Sequence, residues 1–328
     1  METPKYIVGI GEILWDISSK GKNLGGAPAN FAYHANTISH IIGASTHGMT
    51  ISAVGMDDDG VEIIDNLLKR SMGHSIARGP FETGKVLVSH DEKGEPSYEI
   101  VENVAWDYIP FNDDLRIIAA NTQVVCFGSL AQRSNTSRES IHKFLTCTSD
   151  NCLKVFDINL RQDSKHSIKS PMETMGQLTI IEESLMACDI LKINKHELLI
   201  LNGIIGDGKL ILEQDNEEKI ARFCREIIRF FNLKMIILTC DKDGSYIYYS
   251  DNGSDATSFI KTPHVDVVDT VGAGDSFAGS FCACYAAGCP IPKAHQIAVE
   301  VSAFVCQHAG AMPDLKPIEE TVKSIYNK

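Results

Sequence analysis

Six short, mainly apolar stretches that read as buried strands constrain this chain more than any other feature. They lie at 6–10, 49–54, 124–127, 153–158, 190–193 and 235–238. Strands that are apolar on both faces must be covered on both faces, as in the parallel sheets of α/β proteins. Helical patterns fall among them, at 61–70, 217–231 and 294–308, so the spacing predicts a mainly parallel sheet with helices on both sides. One stretch breaks this rule. Residues 84–89 and 97–101 alternate apolar and polar side chains around Asp91-Glu92-Lys93-Gly94, which predicts a β-hairpin. A chain of 328 residues, 44% of them hydrophobic, can bury the core that such a sheet needs. No internal repeat or low-complexity linker divides it.

The chemistry concentrates in Asp269-Thr270-Val271-Gly272-Ala273-Gly274-Asp275-Ser276-Phe277, a turn that runs straight into a helix. Its glycines permit a bend that side chains would block, and they leave backbone N–H groups uncovered where the helix begins. That is a place for phosphate. A carboxylate there repels phosphate unless it has a task, and accepting a proton from an attacking hydroxyl is such a task. The alternative is that Asp275 only caps the helix, a common use of Asp.

A second constellation lies far away in sequence. Gly9-Ile10-Gly11-Glu12-Ile13-Leu14-Trp15-Asp16 follows the first apolar run, and Gly25-Gly26-Ala27-Pro28-Ala29-Asn30 opens the next helical stretch. Ala53-Val54-Gly55-Met56-Asp57-Asp58-Asp59-Gly60 marks a strand-to-helix turn, and Asn194-Lys195-His196-Glu197 follows the fifth run. In this order, GGAPAN, VGxDxxG, NxxE and DTVGAGD resemble the signatures of the ribokinase-like (phosphofructokinase B-type) carbohydrate kinase family. The resemblance spans nearly the whole chain. It implies a three-layer α/β/α fold with a mainly parallel central sheet and a small β lid. It also implies one kinase domain over 1–328, with lid strands drawn from 12–30 and 84–106.

The same resemblance implies roles residue by residue. Asp275 is the expected catalytic base for a sugar hydroxyl, and the N–H groups of Gly272, Ala273 and Gly274 are the expected hole for the transferring phosphoryl group. The chemistry agrees, since phosphoryl transfer needs positioning and charge neutralisation more than covalent help. Asp16, Gly25, Gly26 and Asn30 match the family's sugar contacts, where a carboxylate bridges two hydroxyls and an amide both donates and accepts. Glu197 resembles the acidic residue that orients Mg²⁺ through water, with Asn194 on the phosphate side; hard cations take oxygen ligands, and Mg²⁺ keeps several waters. Thr239-Cys240-Asp241-Lys242-Asp243-Gly244 stands in place of the family's TxGxxG turn, which makes Thr239 and Gly244 nucleotide contacts. Asp241 replaces the first glycine there, and Asp tolerates left-handed backbone. Asp269 and Thr270, with carbonyls at 309–312, resemble a monovalent cation site. The expected cofactors are therefore ATP, Mg²⁺ and K⁺. The lid is expected to cover the sugar and to pack against a second lid in a homodimer; the alternative is an ordinary surface hairpin.

For the acceptor, the 11–16 pattern, the following Leu24-Gly25-Gly26-Ala27-Pro28-Ala29-Asn30 and Asp157-Ile158-Asn159-Leu160-Arg161 look most like the fructokinase branch. Asn159 and Arg161 sit just past a strand end, where α/β sheets place ligand groups. Arg161 is alternatively a surface ion-pair residue; near the site it would suit an acidic or phosphorylated sugar. The other readings are a 2-keto-3-deoxygluconate kinase, a ribokinase and, from a different class, a non-catalytic sugar-binding regulator.

Net charge is −13, and no Lys/Arg run offers a surface for nucleic acid. The start, Met-Glu-Thr-Pro-Lys, lacks a signal segment, and the most apolar stretch, 277–291, is broken by Gly279, Gly288 and Pro290. A cytoplasmic chain with no membrane partner is the expectation. No Walker A sequence and no GxGxxG after a strand are present, which removes P-loop and Rossmann readings. The ten cysteines form no CxxC pair and read as buried free thiols.

Overall fold

A computed structural model describes residues 4–19, 21–90, 96–160, 171–205 and 217–327. The chain opens with β1 (Lys5–Ile10), β2 (Leu14–Ser18), β3 (Gly21–Gly25), α1 (Ala27–Ile41), β4 (Thr46–Gly55), α2 (Asp58–Lys69) and β5 (Gly73–Gly79). It continues through β6 (Gly84–His90), β7 (Pro96–Ile100), α3 (Asp113–Ala120), β8 (Thr122–Gly128), α4 (Asn135–Cys147), β9 (Leu153–Asp157) and α5 (Pro171–Ala187). Then come β10 (Ile190–Asn194), α6 (Lys195–Ile205), α7 (Glu217–Phe231), β11 (Met235–Thr239), β12 (Ser245–Asp251) and β13 (Ser254–Ile260). The last helices are α8 (Ala273–Ala286), α9 (Ile291–Cys306) and α10 (Glu319–Asn327).

The large sheet has the order β13-β12-β11-β10-β9-β8-β1-β4-β5. It is parallel except for β12 and β13, which add an antiparallel edge. Successive residues of each central strand face opposite layers. Ile7, Val124, Val155, Ile190 and Ile237 share a core with Phe31 of α1, Phe281 of α8 and Ile297 of α9. Their neighbours Val8, Val125, Phe156, Leu191 and Ile236 share another with Phe144 of α4, Leu201 of α6 and Ile227 of α7. Both faces are dry, which is why these strands are mainly apolar on both sides.

Strand order reverses between β1 and β8: β1 leads outward to β4 and β5, while β8 through β13 build outward on the other side. Open α/β sheets bind ligands beyond the strand C-termini at such a point. A narrow crevice lies there, lined by Ala27, Gly128, Asp157 and Asn159. Helix α1 is wedged beside it. A Cβ on Gly9 would sit 1.9 Å from the Pro28 carbonyl oxygen, and one on Gly279 2.4 Å from that of Phe31, so β1 and α8 meet α1 backbone to backbone.

A second sheet has the order β3-β2-β6-β7, antiparallel at both ends and parallel between β2 and β6. Strands β6 and β7 occupy the predicted hairpin; its turn, Asp91-Glu92-Lys93-Gly94, lies outside the described residues. The sheet is anchored to the body. Trp15 and Leu24 pack with Ala29 and Tyr33 of α1 and with Ile63 and Leu67 of α2. Asp59 of α2 takes Lys22 of β3 at 2.8 Å and Lys85 of β6 at 3.3 Å, and its carbonyl accepts the Trp15 indole N–H at 3.1 Å.

Helix α7 matches its predicted bounds, whereas α2 begins at Asp58 rather than at 61 because the Asp57 side chain accepts the Gly60 N–H at 2.8 Å and caps it. No helix among the described residues is long and apolar enough to cross a membrane. The cysteines are free thiols, and all but Cys147 and Cys306 are buried.

Candidate active site

Helix α8 starts at Gly272, a left-handed N-cap (φ 78°) with no side-chain cap bond. Two constraints demand glycine here: the positive φ, and a Cβ that would lie 2.4 Å from the Ala311 Cβ. Asp275 therefore sits inside the first turn, not at the N-cap, and is 7% exposed. Bare capping does not describe it. Asn30, in the first turn of α1, donates from Nδ2 to Asp275 Oδ2 at 2.7 Å. A carboxylate there selects the nitrogen of the amide, which leaves Asn30 Oδ1 buried with no partner among the described residues.

Lys192 is the residue that sequence reasoning missed. It interrupts the 190–193 run and is 6% exposed, with Nζ 3.2 Å from Asp157 Oδ1 and 3.1 Å from Oδ2. A Cβ on Gly274 would lie 2.7 Å from that nitrogen, so the ammonium faces the turn that starts α8. Burial by itself pushes the Lys192 pKa down; the carboxylates of Asp157, Glu197 and Asp275 outweigh it and hold the value above normal. The available signal was a single charge inside an apolar strand.

Glu197 is also buried, and both oxygens are engaged. Oε1 accepts the Leu160 N–H at 2.9 Å and Oε2 the Asn194 N–H at 2.9 Å, while Asn194 Oδ1 accepts the Glu197 N–H at 2.9 Å. Asn194 and Glu197 thus form a reciprocal cap on α6 that also ties down the end of β9. Burial raises the Glu197 pKa, with Lys192 opposing it. Asn159 follows β9 in a left-handed conformation (φ 37°), and the Ser129 hydroxyl donates to the Ile158 carbonyl at 2.7 Å. Arg161 lies outside the described residues.

Among the described residues, no three His, Cys, Asp or Glu side chains are grouped so as to hold a metal. Asp157, Glu197 and Asp275 around one ammonium nevertheless make an oxygen-rich floor. With those oxygens already engaged, a Mg²⁺ beside them would be carried mainly by phosphates and water.

On the lid, Asp16 pairs with Asn23 across β2 and β3. Gly25 leaves room for it, since a Cβ there would lie 2.3 Å from Asp16 Oδ2; Gly26 turns the chain into α1 with φ 113°. Strand alternation puts Leu14, Asp16, Asn23 and Val86 on one face of the lid and Trp15, Lys22 and Lys85 on the other.

Thr239 and Gly244 stand at the end of β11 and the start of β12, two strands from β9. The Cys240 N–H closes that turn on the Gly244 carbonyl at 2.8 Å, and Asp241 takes the left-handed backbone (φ 49°) expected where it replaces glycine. The Asp269 carboxylate is shared between two loops, with Oδ1 accepting the Val271 N–H and Oδ2 the Gly310 N–H, each at 3.0 Å. Asp269 and the 309–312 segment are thus brought together.

A large, mainly parallel sheet with a smaller second sheet is the architecture of the ribokinase-like fold. The chain belongs to the pfkB family of carbohydrate kinases, whose profile matches residues 11–318. It is 27% identical over 339 residues to an ATP-dependent 6-phosphofructokinase of Thermoanaerobacterium thermosaccharolyticum, covering 98% of this chain and 94% of that one. Over 265 residues it is 28% identical to probable fructokinase-2 of Arabidopsis thaliana, covering 78% and 70%. Its fold is similar to that of an uncharacterized sugar kinase from Pyrococcus horikoshii, with a TM-score of 0.78, 24% identity and coverage of 99% and 100%.

Proposed function

We propose that this chain transfers the γ-phosphoryl group of ATP to a hydroxyl of an uncharged sugar, and that fructose is its best acceptor. The observation that carries this reading is the Asn30–Asp275 pair: a buried carboxylate, held at the glycine-led start of a helix by an amide whose oxygen still has lone pairs to offer. Asp275 takes the proton of the attacking hydroxyl as its oxygen bonds phosphorus, ADP departs, and the proton stays on the carboxylate until the product leaves. Asn30 Oδ1 accepts from a sugar hydroxyl and orients it. The N–H groups of Gly272, Ala273 and Gly274 receive the phosphoryl oxygens, and Lys192 neutralises charge beside them. A Mg²⁺ brought with ATP would be held near Glu197 and would neutralise charge on the phosphates.

Charge decides between acceptors. The lid face that carries Asp16 shows no Lys or Arg among the described residues, because Lys22 and Lys85 lie on the opposite face and are engaged by Asp59. A phosphate or carboxylate on the acceptor would face the Asp16 carboxylate, and like charges at close range repel. This favours fructose over the phosphorylated substrate named for the 6-phosphofructokinase relative.

ADP release tests the proposal with fructose, ribose, 2-keto-3-deoxygluconate and fructose 6-phosphate in one panel. Fructose is expected to give the highest kcat/KM. A clear preference for an anionic acceptor overturns the charge argument, and a preference for ribose overturns the choice of fructose. Melting shifts with sugar but no ADP would leave the binding-regulator reading standing.

A further inference from the structure

His34 lies one turn along α1 from Asn30 and is fully buried. One imidazole nitrogen, Nε2, is 2.8 Å from the Ala311 carbonyl oxygen, which can only accept, so Nε2 carries the proton. The other, Nδ1, has no partner among the described residues. Leaving a buried acceptor unsatisfied is a cost that an apolar residue of similar size would not incur. The group it holds is therefore of interest.

Ala311 is the residue against which Gly272 is packed: a Cβ on Gly272 would come within 2.4 Å of the Ala311 Cβ and 2.7 Å of its Cα. The neighbouring Gly310 N–H is taken by Asp269, and the preceding residue of α1, Tyr33, donates its hydroxyl to the Pro313 carbonyl at 2.9 Å. The 310–313 segment is thus fastened at three points, and the middle one, directly behind Gly272, is His34. Since Gly9 and Gly279 press α1 between β1 and α8, the helix is a firm base for such a bond.

We propose that His34 is a positioning residue for phosphoryl transfer: by donating Nε2–H to Ala311 it sets the wall behind Gly272 and so fixes where the γ-phosphate rests. The proposal rests on the kinase reading above. Burial pushes the His34 pKa down to about 4, so the imidazole stays neutral at neutral pH and keeps the one tautomer this contact needs.

Geometry supplies the test, because the amide nitrogen of Gln reaches where Nε2 of His reaches, whereas that of Asn stops near Nδ1. The full-length protein is compared with His34→Gln, His34→Asn and His34→Leu, each checked for folding by circular dichroism. Two quantities are read: kcat and KM with fructose, and the ratio of ATP to ADP affinity by calorimetry without sugar. Asn and Leu at 34 are expected to lower kcat by about tenfold or more with the sugar KM within about twofold, and to reduce the ATP-over-ADP preference. Gln is expected to restore both. If His34→Leu does not fold, the Asn and Gln variants carry the comparison. A folded His34→Asn with wild-type kcat and affinity ratio overturns the proposal, as does a Gln variant no better than Asn. Failure of the wild type to phosphorylate any sugar would sink the kinase reading instead, and the affinity ratio would still decide the role of His34.

Discussion

Asn30 and Asp275, 245 positions apart in the chain, share a 2.7 Å hydrogen bond at the first turns of two different helices. Each lies in one of the two motifs that dominate the sequence. The bond fixes the carboxylate's direction, and α1 and α8 are locked together by the close approach at Gly279. A general base gains from that rigidity because proton transfer depends steeply on geometry.

Asp275→Asn keeps the size of the side chain but cannot accept the hydroxyl proton. A fall in kcat of at least about 10²-fold is expected, with sugar and ATP binding largely kept. Steady-state kinetics and calorimetry on the same preparation check this. A variant that folds, binds both ligands and turns over near the wild-type rate removes Asp275 from the chemistry.

Lys192→Met should cost stability as well as activity. It leaves the Asp157 carboxylate buried beside Glu197 and Asp275 without a cation, and breaking a buried pair from one side typically costs about 3–5 kcal/mol. Urea unfolding measures the loss. Adding Asp157→Asn is expected to recover part of it; a double variant no more stable than Lys192→Met would show that the ion pair is not the reason.

Acid should weaken the fold before its carboxylates titrate fully. His34 and His295, the latter between the hydroxyls of Ser245 at 2.7 Å and Ser258 at 2.8 Å, are buried, and burial lowers each from 6.5 to about 4. Between those values the unfolded chain binds more protons, so stability present above pH 6.5 is lost as pH falls toward 4, on the order of 3 kcal/mol per histidine. Urea midpoints at pH 7.5 and 5 should differ, and His295→Asn should shrink the difference. Equal midpoints in the wild type would contradict this.

Sugar binding should slow amide exchange in β6 and β7, since a closing lid excludes the water that would otherwise take the phosphoryl group. Exchange mass spectrometry with saturating fructose reads it out. Protection confined to α8 and the strand ends would make the second sheet a fixed wall.

The parallel sheet was legible because its strands are dry on both faces, as Ile7 and Val8 show by entering different cores. Strands β12 and β13 were not, since Ser250-Asp251 interrupts any apolar pattern and their pairing is set by neighbours, while β2 and β3 were expected only through the family resemblance, Lys22-Asn23 showing no apolar pattern of their own. Within the site, the glycines and Asp275 announced themselves by an unusual local combination. Lys192 did not, because a lone lysine in an apolar strand ordinarily reaches for water, and only the approach of Asp157, Glu197 and Asp275 turns it into a buried cation. That Asp269 meets the 309–312 loop was expected only from the family resemblance, since Asp269 and Gly310 lie 41 residues apart and nothing local joins them.

The shared packing of Trp15 and Leu24 with α1 and α2 has an evolutionary side. A cover joined to the body by loops alone can be swapped between relatives like a cassette, but this one also packs on Ala29, Tyr33, Ile63 and Leu67 and is tied to α2 through Asp59. Transplanting another kinase's lid would uncover the outer surface of two body helices. Substitutions on the Asp16 face, by contrast, alter side chains without disturbing the seam beneath.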